Sequence, residues 1–287
     1  DWSAWRISRG DRRSSRAVAD SVLDAIVASV SARLGSGPPS HDLVDRAHRA
    51  MAQRREEGPR SLRSAIERGR PAVIAECKRA SPSAGVLRPD FDPVELARRY
   101  AAGGAAAISV VTEPEYFQGR LEWVRHVRRA VDLPVLRKDF IISDRQLYET
   151  AAAGADAVLL IRRILEPVQL ARLLSIAADL DLEVLLEVFA DEDPGTAVDT
   201  GAGLIGVNAR DLATFAIDLD RAVAVAPSIP SDRLRIAESG IHHRDDLQRL
   251  HGAGYDGFLV GEHLVRADDP EQALRHLLGE EDLGPSV

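Results

Sequence analysis

The sequence contains very little lysine. Of its 37 basic residues only Lys78 and Lys138 are lysines, and arginine supplies the rest. Arginine keeps its proton in proteins, whereas the pKa of a lysine shifts readily on burial, so lysine can act as an acid or a base. Because arginine meets the needs of solubility and surface pairing here, we interpret the two lysines as functional. The alternative is that they reached their positions by chance.

Cysteine, long apolar runs and basic runs are also scarce. One cysteine in 287 residues excludes an internal disulfide framework and a cysteine-based zinc site. No run of about eighteen apolar residues is present, and the N-terminus lacks the apolar core of a signal peptide. The formal net charge of −8 argues against nucleic acid as the main partner. We therefore expect a soluble cytoplasmic protein with a small-molecule partner. That molecule could be anionic, because a binding site needs only local positive charge.

The N-terminal part of the chain is predicted to be helical after a short extension. Residues 1–19 are mostly polar with little periodicity, and we interpret them as a poorly ordered extension. Apolar residues from Val22 to Val30 recur at helical spacing, and a Gly/Pro-rich run ends that helix. A second helix at about 41–56 and a short third one follow. We expect the whole region 20–70 to pack on the domain that follows it.

From Ala72 the pattern changes to short apolar runs that alternate with helical segments. Strands alternating with such helices indicate a parallel sheet, and eight of them indicate an α/β protein with a closed (β/α)₈ barrel, the TIM barrel. A doubly wound sheet is the alternative, but its Gly-rich turn, GxGxxG, is absent. The barrel is expected over 71–279, with a tail at 280–287. The predicted strands are 72–78, 105–111, 134–138, 156–161, 183–187, 204–208, 234–238 and 256–260.

Polar side chains stand at the ends of these apolar runs. In such barrels the chemistry lies where the strands end, and alternate residues of a strand face the same side. These side chains follow inward-facing residues by two positions, Lys78 following Glu76 and the others following apolar or small residues, so all should point into the barrel mouth. Unpaired buried charge is costly, which favours a catalytic cluster over the alternative of a structural ion-pair network. The residues are Glu76, Lys78, Lys138, Glu187, Asn208 and Glu238.

Two glycine-containing loops suggest a phosphate site. Ser239-Gly240 follows the seventh strand, and Gly261-Glu262 follows the eighth, just before a short helical piece. Backbone N–H groups of these loops form the phosphate cradle of many such barrels, although ordinary turn chemistry explains the same residues.

Other residues near the predicted mouth are open to two interpretations. The long loop that starts at Ser81 is interpreted as a flexible lid, and a loop without that role is the alternative. Phe117 and Phe140 could wall an aromatic substrate or pack in the core or rim. Cys77 should face away from the mouth, under a helix. His242 and His243 begin a helix and are expected to face solvent.

Five motifs carry a resemblance to a known family. They are Ile-Ala-Glu-Cys-Lys-Arg-Ala-Ser-Pro-Ser at 74–83, Leu-Arg-Lys-Asp-Phe at 136–140, Leu-Glu-Val at 186–188, Gly-Val-Asn-Ala-Arg-Asp-Leu at 206–212 and Ala-Glu-Ser-Gly-Ile at 237–241. In this order, over about residues 20–278, they resemble the monofunctional indole-3-glycerol-phosphate synthases of tryptophan biosynthesis. The first motif is the most specific.

The resemblance implies a carboxy-lyase that works without a metal or an organic cofactor. Its substrate would be 1-(2-carboxyphenylamino)-1-deoxyribulose 5-phosphate, a phosphorylated aromatic amino-ketose, and its products indole-3-glycerol phosphate, carbon dioxide and water. Lys138 would protonate the ketone oxygen. Lys78 and Glu76 would serve the loss of water, and Glu187 would stabilise positive charge on the anilino nitrogen or assist as a base. We expect a monomer or a weak homodimer.

The resemblance also assigns binding residues. Lys78, Asn208 and Arg210 would hold the aryl carboxylate, and Glu238 would orient the substrate hydroxyls or a lysine. Glu262 stands where some relatives have serine, so only its backbone is expected to contribute. The phosphate would be bound by Ser81, Ser239, Gly240, Gly261 and the N–H of Glu262, and the ring would be flanked by Pro82, Phe117, Phe140 and Leu212.

Two other functions fit a barrel of this kind less well. Phosphoribosylanthranilate isomerase chemistry needs a Cys/Asp pair at strand ends, but Cys77 should face outward and no matching Asp is present. A catalytically silent barrel would have lost Lys78, Lys138 or Glu187, and all three are retained. We therefore predict the lyase.

Overall fold

The computed structural model describes residues 12–34, 37–68, 71–211 and 216–280, with side chains from Val22 onward. Residues 1–11 of the expected extension, Leu212 of the expected substrate site, and the tail beyond position 280 lie outside the described residues.

Eight parallel strands close into a barrel, which confirms the predicted (β/α)₈ architecture. Around the barrel the strands follow chain order, and the last strand pairs with the first. A doubly wound sheet is open and has no such pair. The strands are β1 (Ala72–Cys77), β4 (Ala107–Val111), β5 (Val135–Lys138), β6 (Ala157–Ile161), β7 (Glu183–Phe189), β8 (Leu204–Asn208), β9 (Leu234–Glu238) and β10 (Gly257–Val260). A separate antiparallel pair, β2 (Ala80–Ser81) and β3 (Gly85–Val86), lies in the first loop.

Helices precede the barrel and connect its strands. In chain order they are α1 (Arg12–Leu34), α2 (His41–Glu57), α3 (Leu62–Arg68), α4 (Pro93–Ala102), α5 (Glu122–Ala130), α6 (Asp144–Ala153), α7 (Pro167–Asp179), α8 (Gly195–Val198), α9 (Leu219–Val225), α10 (Arg244–Gly252), α11 (Glu262–Arg266) and α12 (Pro270–Leu278). In the parts of the chain that are described, no helix combines the length and apolarity that crossing a membrane requires.

Strand ends differ from the prediction by two residues at two places, and by one residue at four others. The second barrel strand begins at Ala107 rather than at 105, because the chain is still leaving the turn at Gly104, which has φ +89°. Strand β7 continues to Phe189, two residues beyond its predicted end, because Val188 and Phe189 pair with β8.

Alternation along the strands produces two hydrophobic cores. Ile74, Leu136 and Leu185 face the barrel interior, while Val73 and Ala75 pack under the surrounding helices. Odd and even residues of one strand face opposite sides. A polar residue two positions after Ile74 on the same strand must therefore also face inward.

The single cysteine belongs to the outer core. The Sγ–H of Cys77 donates to the carbonyl of Pro93 at 3.6 Å, at the start of α4, and burial raises the pKa of this thiol. The prediction that it packs under a helix is confirmed.

The three N-terminal helices wrap the barrel from mouth to base. Helix α1 packs over the mouth, with Ile26 and Val30 against Phe140. Helix α2 lies on α6, where Arg54 donates to the carbonyls of Ala151 and Leu180 at 3.2 and 2.7 Å. Helix α3 places its apolar residues in the interior core at the opposite end of the barrel.

Candidate active site

One cavity opens at the carboxyl ends of the barrel strands. Every residue predicted for the site lines it, apart from Leu212, which lies outside the described residues. The strands bring together residues that are far apart in sequence, since each carries its polar side chain at the same level of the mouth.

Lys138 lies between two carboxylates. Its Nζ is 3.1 Å from Oε2 of Glu187 and 3.2 Å from Oε2 of Glu238. Burial opposes the charge on this ammonium group, but the charges of Glu187, Glu238 and Glu76 outweigh burial, so the pKa of Lys138 is raised. The lysine therefore enters the mouth as an ammonium ion, which is a proton donor held in a defined direction by its two acceptors.

Lys78 and Glu76 form a second pair at the end of β1. The Nζ of Lys78 is 2.8 Å from Oε1 of Glu76. Burial alone would raise the pKa of Glu76, but the charges of Lys78 and Lys138 outweigh it and the pKa is lowered. A Cβ at Gly261 would collide with this carboxylate and lie 3.2 Å from the lysine Nζ, so only glycine leaves room for the pair.

Glu238 has the least exposed side chain of the three glutamates in the cluster. Its side chain is 1 % exposed, and its Oε1 has no hydrogen-bond partner among the described residues. Burial raises the pKa of Glu238 well above its usual value, and the charge of Glu187 adds to the shift, although Lys138 opposes it. A buried carboxyl of this kind holds its proton more tightly than one in water.

Asn208 links the charged cluster to the loops at one end of the mouth. Its Nδ2 donates to Oε1 of Glu187 at 3.4 Å, while its Oδ1 accepts the Oγ–H of Ser239 at 2.8 Å and the N–H of Arg210 at 3.0 Å. Ser239 has φ +70°, a left-handed conformation that is uncommon for any residue other than glycine and is found often at functional sites.

The side chain of Glu262 is held by arginines. Its Oε1 is 3.1 Å from Nε of Arg266, and its Oε2 is 4.0 Å from the guanidinium of Arg210. These contacts occupy the carboxylate and leave the backbone N–H of Glu262 as the group that can meet an anion.

The first loop is more ordered than the single long loop expected from the sequence. The pair β2 and β3 forms its base, and the Oγ of Ser81 accepts the N–H of Ala84 at 3.2 Å. Ser81, Pro82 and Ser83 line the mouth. Motion of this loop as a lid stays a prediction.

Two phenylalanines form an aromatic wall under α1. The ring centroids of Phe117 and Phe140 are 6.0 Å apart, with the rings tilted by 39°. Both line the mouth and pack against the apolar face of α1. Contact with an aromatic substrate stays a prediction.

Glu113 was missed by the sequence reasoning. It is completely buried, lines the mouth, and accepts the backbone N–H groups of Tyr116 and Phe117 at 2.6 and 3.1 Å. The same signal that identified the other strand ends was present, because Glu113 continues the inward-facing alternation of β4 two residues beyond Val111.

Helix α1, expected to pack on the barrel, also lines the mouth. Val22, Leu23 and Ile26 are part of the cavity wall. His242, expected to face solvent, is exposed and at the same time lines the rim of the mouth.

Comparison with known proteins matches most of the chain to one family. Residues 23–277 match the family described as indole-3-glycerol phosphate synthase. The chain is 48% identical over 261 residues to the indole-3-glycerol phosphate synthase of a Nocardioides species, with 91% of this chain and 99% of the relative covered. It is 48% identical over 218 residues to the indole-3-glycerol phosphate synthase of Desulfosudis oleivorans, with 76% of this chain and 83% of the relative covered.

Among solved structures, 3-hexulose-6-phosphate synthase resembles the chain with a TM-score of 0.60 at 17% identity, covering 73% of this chain and 99% of that one. At that identity the likeness supports the barrel fold alone. The family match over most of the chain and the two relatives together show that this chain belongs to the indole-3-glycerol phosphate synthase family.

Proposed function

We propose that the mouth closes the indole ring of 1-(2-carboxyphenylamino)-1-deoxyribulose 5-phosphate by lysine and glutamate acid–base catalysis. The match to the indole-3-glycerol phosphate synthase family over residues 23–277 supports this reaction. The observation that carries the assignment of roles is the position of Lys138, held between Glu187 and Glu238. A ketone that enters the mouth would take the place of one acceptor and receive the proton.

In the first step a carbon of the aromatic ring attacks the ketone carbon, and the ammonium group of Lys138 protonates the ketone oxygen. General acid catalysis of this kind contributes about 10²- to 10⁴-fold in rate. The new carbon–carbon bond leaves positive charge on the anilino nitrogen, which the carboxylate of Glu187 stabilises. The aryl carboxylate then leaves as carbon dioxide, and its bonding electrons restore the aromatic ring.

In the second step the hydroxyl formed from the ketone leaves as water. It needs a proton from an acid, while a base accepts the proton that is lost from the substrate as the indole double bond forms. Lys78 and Glu76 are 2.8 Å apart and can serve as this acid and base, with Glu187 able to assist as the base. Glu238 orients the substrate hydroxyls or Lys138.

The remaining residues bind the substrate. Lys78, Asn208 and Arg210 hold the aryl carboxylate until it departs, and a water-poor site favours its departure. The ring is flanked by Phe117 and Phe140, together with Pro82 and Leu212. The phosphate is bound by Ser81, Ser239, Gly240, Gly261 and the backbone N–H of Glu262.

The proposal extends to the organisation of the chain. We propose a monomer or a weak homodimer. One chain supplies the described lining of the mouth, so the site does not need a second copy. We keep the division into helices up to position 70, a barrel 71–279 and a tail 280–287, since α1 to α3 precede β1. The extension expected at 1–19 is shorter than that, because α1 begins at Arg12. The cytoplasmic location stays a prediction.

The test is the growth of indole fluorescence when the purified chain meets the carboxyphenylamino-deoxyribulose phosphate without added metal. We expect the signal with the wild-type chain and its loss in Lys138→Met. Arg46→Met, which removes an exposed cation paired with Asp42 on α2, is the matched control and should retain the signal. Folded protein without any signal would overturn the proposal. Binding of the same compound would then favour the isomerase over the silent barrel.

A further inference from the structure

Three histidines lie together at the rim of the mouth. The ring centroids of His242 and His263 are 6.1 Å apart, and His243 is 6.5 Å from each of them. His242 comes two residues after Gly240, and His263 directly follows Glu262, so both adjoin the loops assigned to phosphate. His242 and His263 also line the mouth. We call these three residues the histidine cluster.

The charged groups around the histidine cluster are engaged elsewhere. On α10, Asp246 accepts the backbone N–H groups of His242 and His243 at 3.0 and 2.9 Å, which caps the helix. On α11, the carboxylate of Glu262 faces Arg266, and its other oxygen faces Arg210. In the part of the chain that is described, no carboxylate forms an ion pair with any ring of the cluster.

Protonation of His263 is disfavoured by its surroundings. Burial lowers the pKa of His263, the charges of His242 and His243 lower it further, and Asp246 acts in the opposite direction. Positive charge on His242 or His243 therefore opposes protonation of His263. An anion placed beside the rings would offset this repulsion and favour the protonated forms.

The ligand suited to such a cluster is a dianion. Imidazole changes charge near neutral pH, so these rings supply positive charge only when the pH or a bound anion favours it. The arginines next to them are always charged. No three His, Cys, Asp or Glu side chains among the described residues are arranged to hold a metal ion.

We propose that the histidine cluster takes up protons when the phosphate group of the substrate binds, so that affinity for the phosphorylated substrate rises as the pH falls from about 8 to about 6.5. The inference rests on the proposed function, because it takes the neighbouring loops as the phosphate subsite. Below about pH 6 the phosphate monoester itself gains a proton and loses charge, so the affinity should pass through a maximum.

The experiment uses inorganic sulfate, which stays dianionic throughout this range, so that any proton taken up comes to the protein. Sulfate binding to the full chain is measured by titration calorimetry near pH 7 in two buffers with different heats of protonation, at constant ionic strength. We expect net proton uptake, and a dissociation constant roughly five-fold lower at pH 6.5 than at pH 8.

Matched variants show which residues take up the protons. His242→Gln/His243→Gln/His263→Gln should bind sulfate with no proton uptake and no pH dependence. The single variant His242→Gln, at an exposed position, should lose part of the uptake and guards against misfolding of the triple variant. His41→Gln/His126→Gln changes exposed histidines away from the mouth and should match the wild type. Glu238→Gln should keep the uptake, which separates the cluster from that buried carboxyl.

Two results would overturn the inference: equal uptake in the triple variant and the wild type, or no saturable sulfate binding to the wild type at any pH. Its failure is distinguishable from failure of the proposed function. Indole formation without histidine-dependent uptake removes the inference alone. Histidine-dependent uptake without indole formation removes the proposed reaction and leaves an anion site. In the kinetic assay the triple variant should raise KM at pH 6.5 more than it lowers kcat.

Discussion

The guanidinium of Arg33 on α1 lies 3.1 Å from the buried carboxylate of Glu113, which follows β4. The same carboxylate accepts the N–H groups that fix the loop carrying Phe117. One acidic residue thus ties the N-terminal helix to the aromatic wall. Helix α1 and the barrel mouth are connected by this ion pair as well as by apolar contacts.

Replacement of Glu113 should weaken binding more than catalysis. Glu113→Gln removes the charge that pairs with Arg33 and weakens the cap on the Phe117 loop, so we expect KM to rise roughly ten-fold and stability to fall by about 1–3 kcal/mol. Steady-state kinetics and denaturant unfolding measure both. Glu115→Gln is the control, since Glu115 also contacts Arg33 but is exposed, and its effect should stay within about 1 kcal/mol. An unchanged KM in Glu113→Gln would remove its positioning role.

Lys138→Arg should retain the charge and lose most of the turnover. Arginine can replace the ion pairs with Glu187 and Glu238, but it is a poor proton donor at neutral pH, so we expect kcat to fall by at least about 100-fold. Circular dichroism and thermal unfolding check that the fold remains. Turnover close to that of the wild type would contradict the role of Lys138 as general acid.

Glu187→Gln should lower kcat far more than it raises KM. It should also change the pH profile. The charge of Glu187 helps to raise the pKa of Lys138, so its removal lowers that pKa and moves the alkaline limb of kcat to lower pH. The control is Glu183→Gln, on the same strand at the opposite end of the barrel, where Glu183 bonds Ser61. A pure effect on KM would assign Glu187 to binding instead.

Glu238→Gln should alter how stability depends on pH. The pKa of Glu238 is raised in the folded protein, and that of an unfolded glutamate is about 4.3. Between these two pKa values the folded state holds a proton that the unfolded state has lost, so the contribution of Glu238 falls as the pH rises, by up to about 1.4 kcal/mol per unit. Urea unfolding from pH 5 to pH 8 should show the wild type losing stability relative to the variant. Parallel curves for the two proteins would mean that Glu238 is ionised in the folded state.

The sequence determined the barrel and most of its mouth. Strands long enough for an alternating pattern have a fixed side-chain period, so the inward direction of Glu76 follows once Ile74 is known to face the interior. The resemblance of the motifs to a family of known chemistry then gave their residues expected roles. Leu212 cannot be compared, because it lies outside the described residues.

Only the tertiary structure decided which ionisable side chains lie close enough to interact. That Lys138 meets Glu187 and Glu238 depends on the order and register of strands from different parts of the chain, and no local pattern specifies a distance of 3.1 Å. The link from Arg33 to Glu113 and the meeting of the three histidines likewise join residues with no shared periodicity. The physical reason is that a sequence pattern determines the direction of a side chain relative to its own strand or helix. Electrostatic coupling depends on the distance between two groups, and the packing of the whole barrel sets that distance.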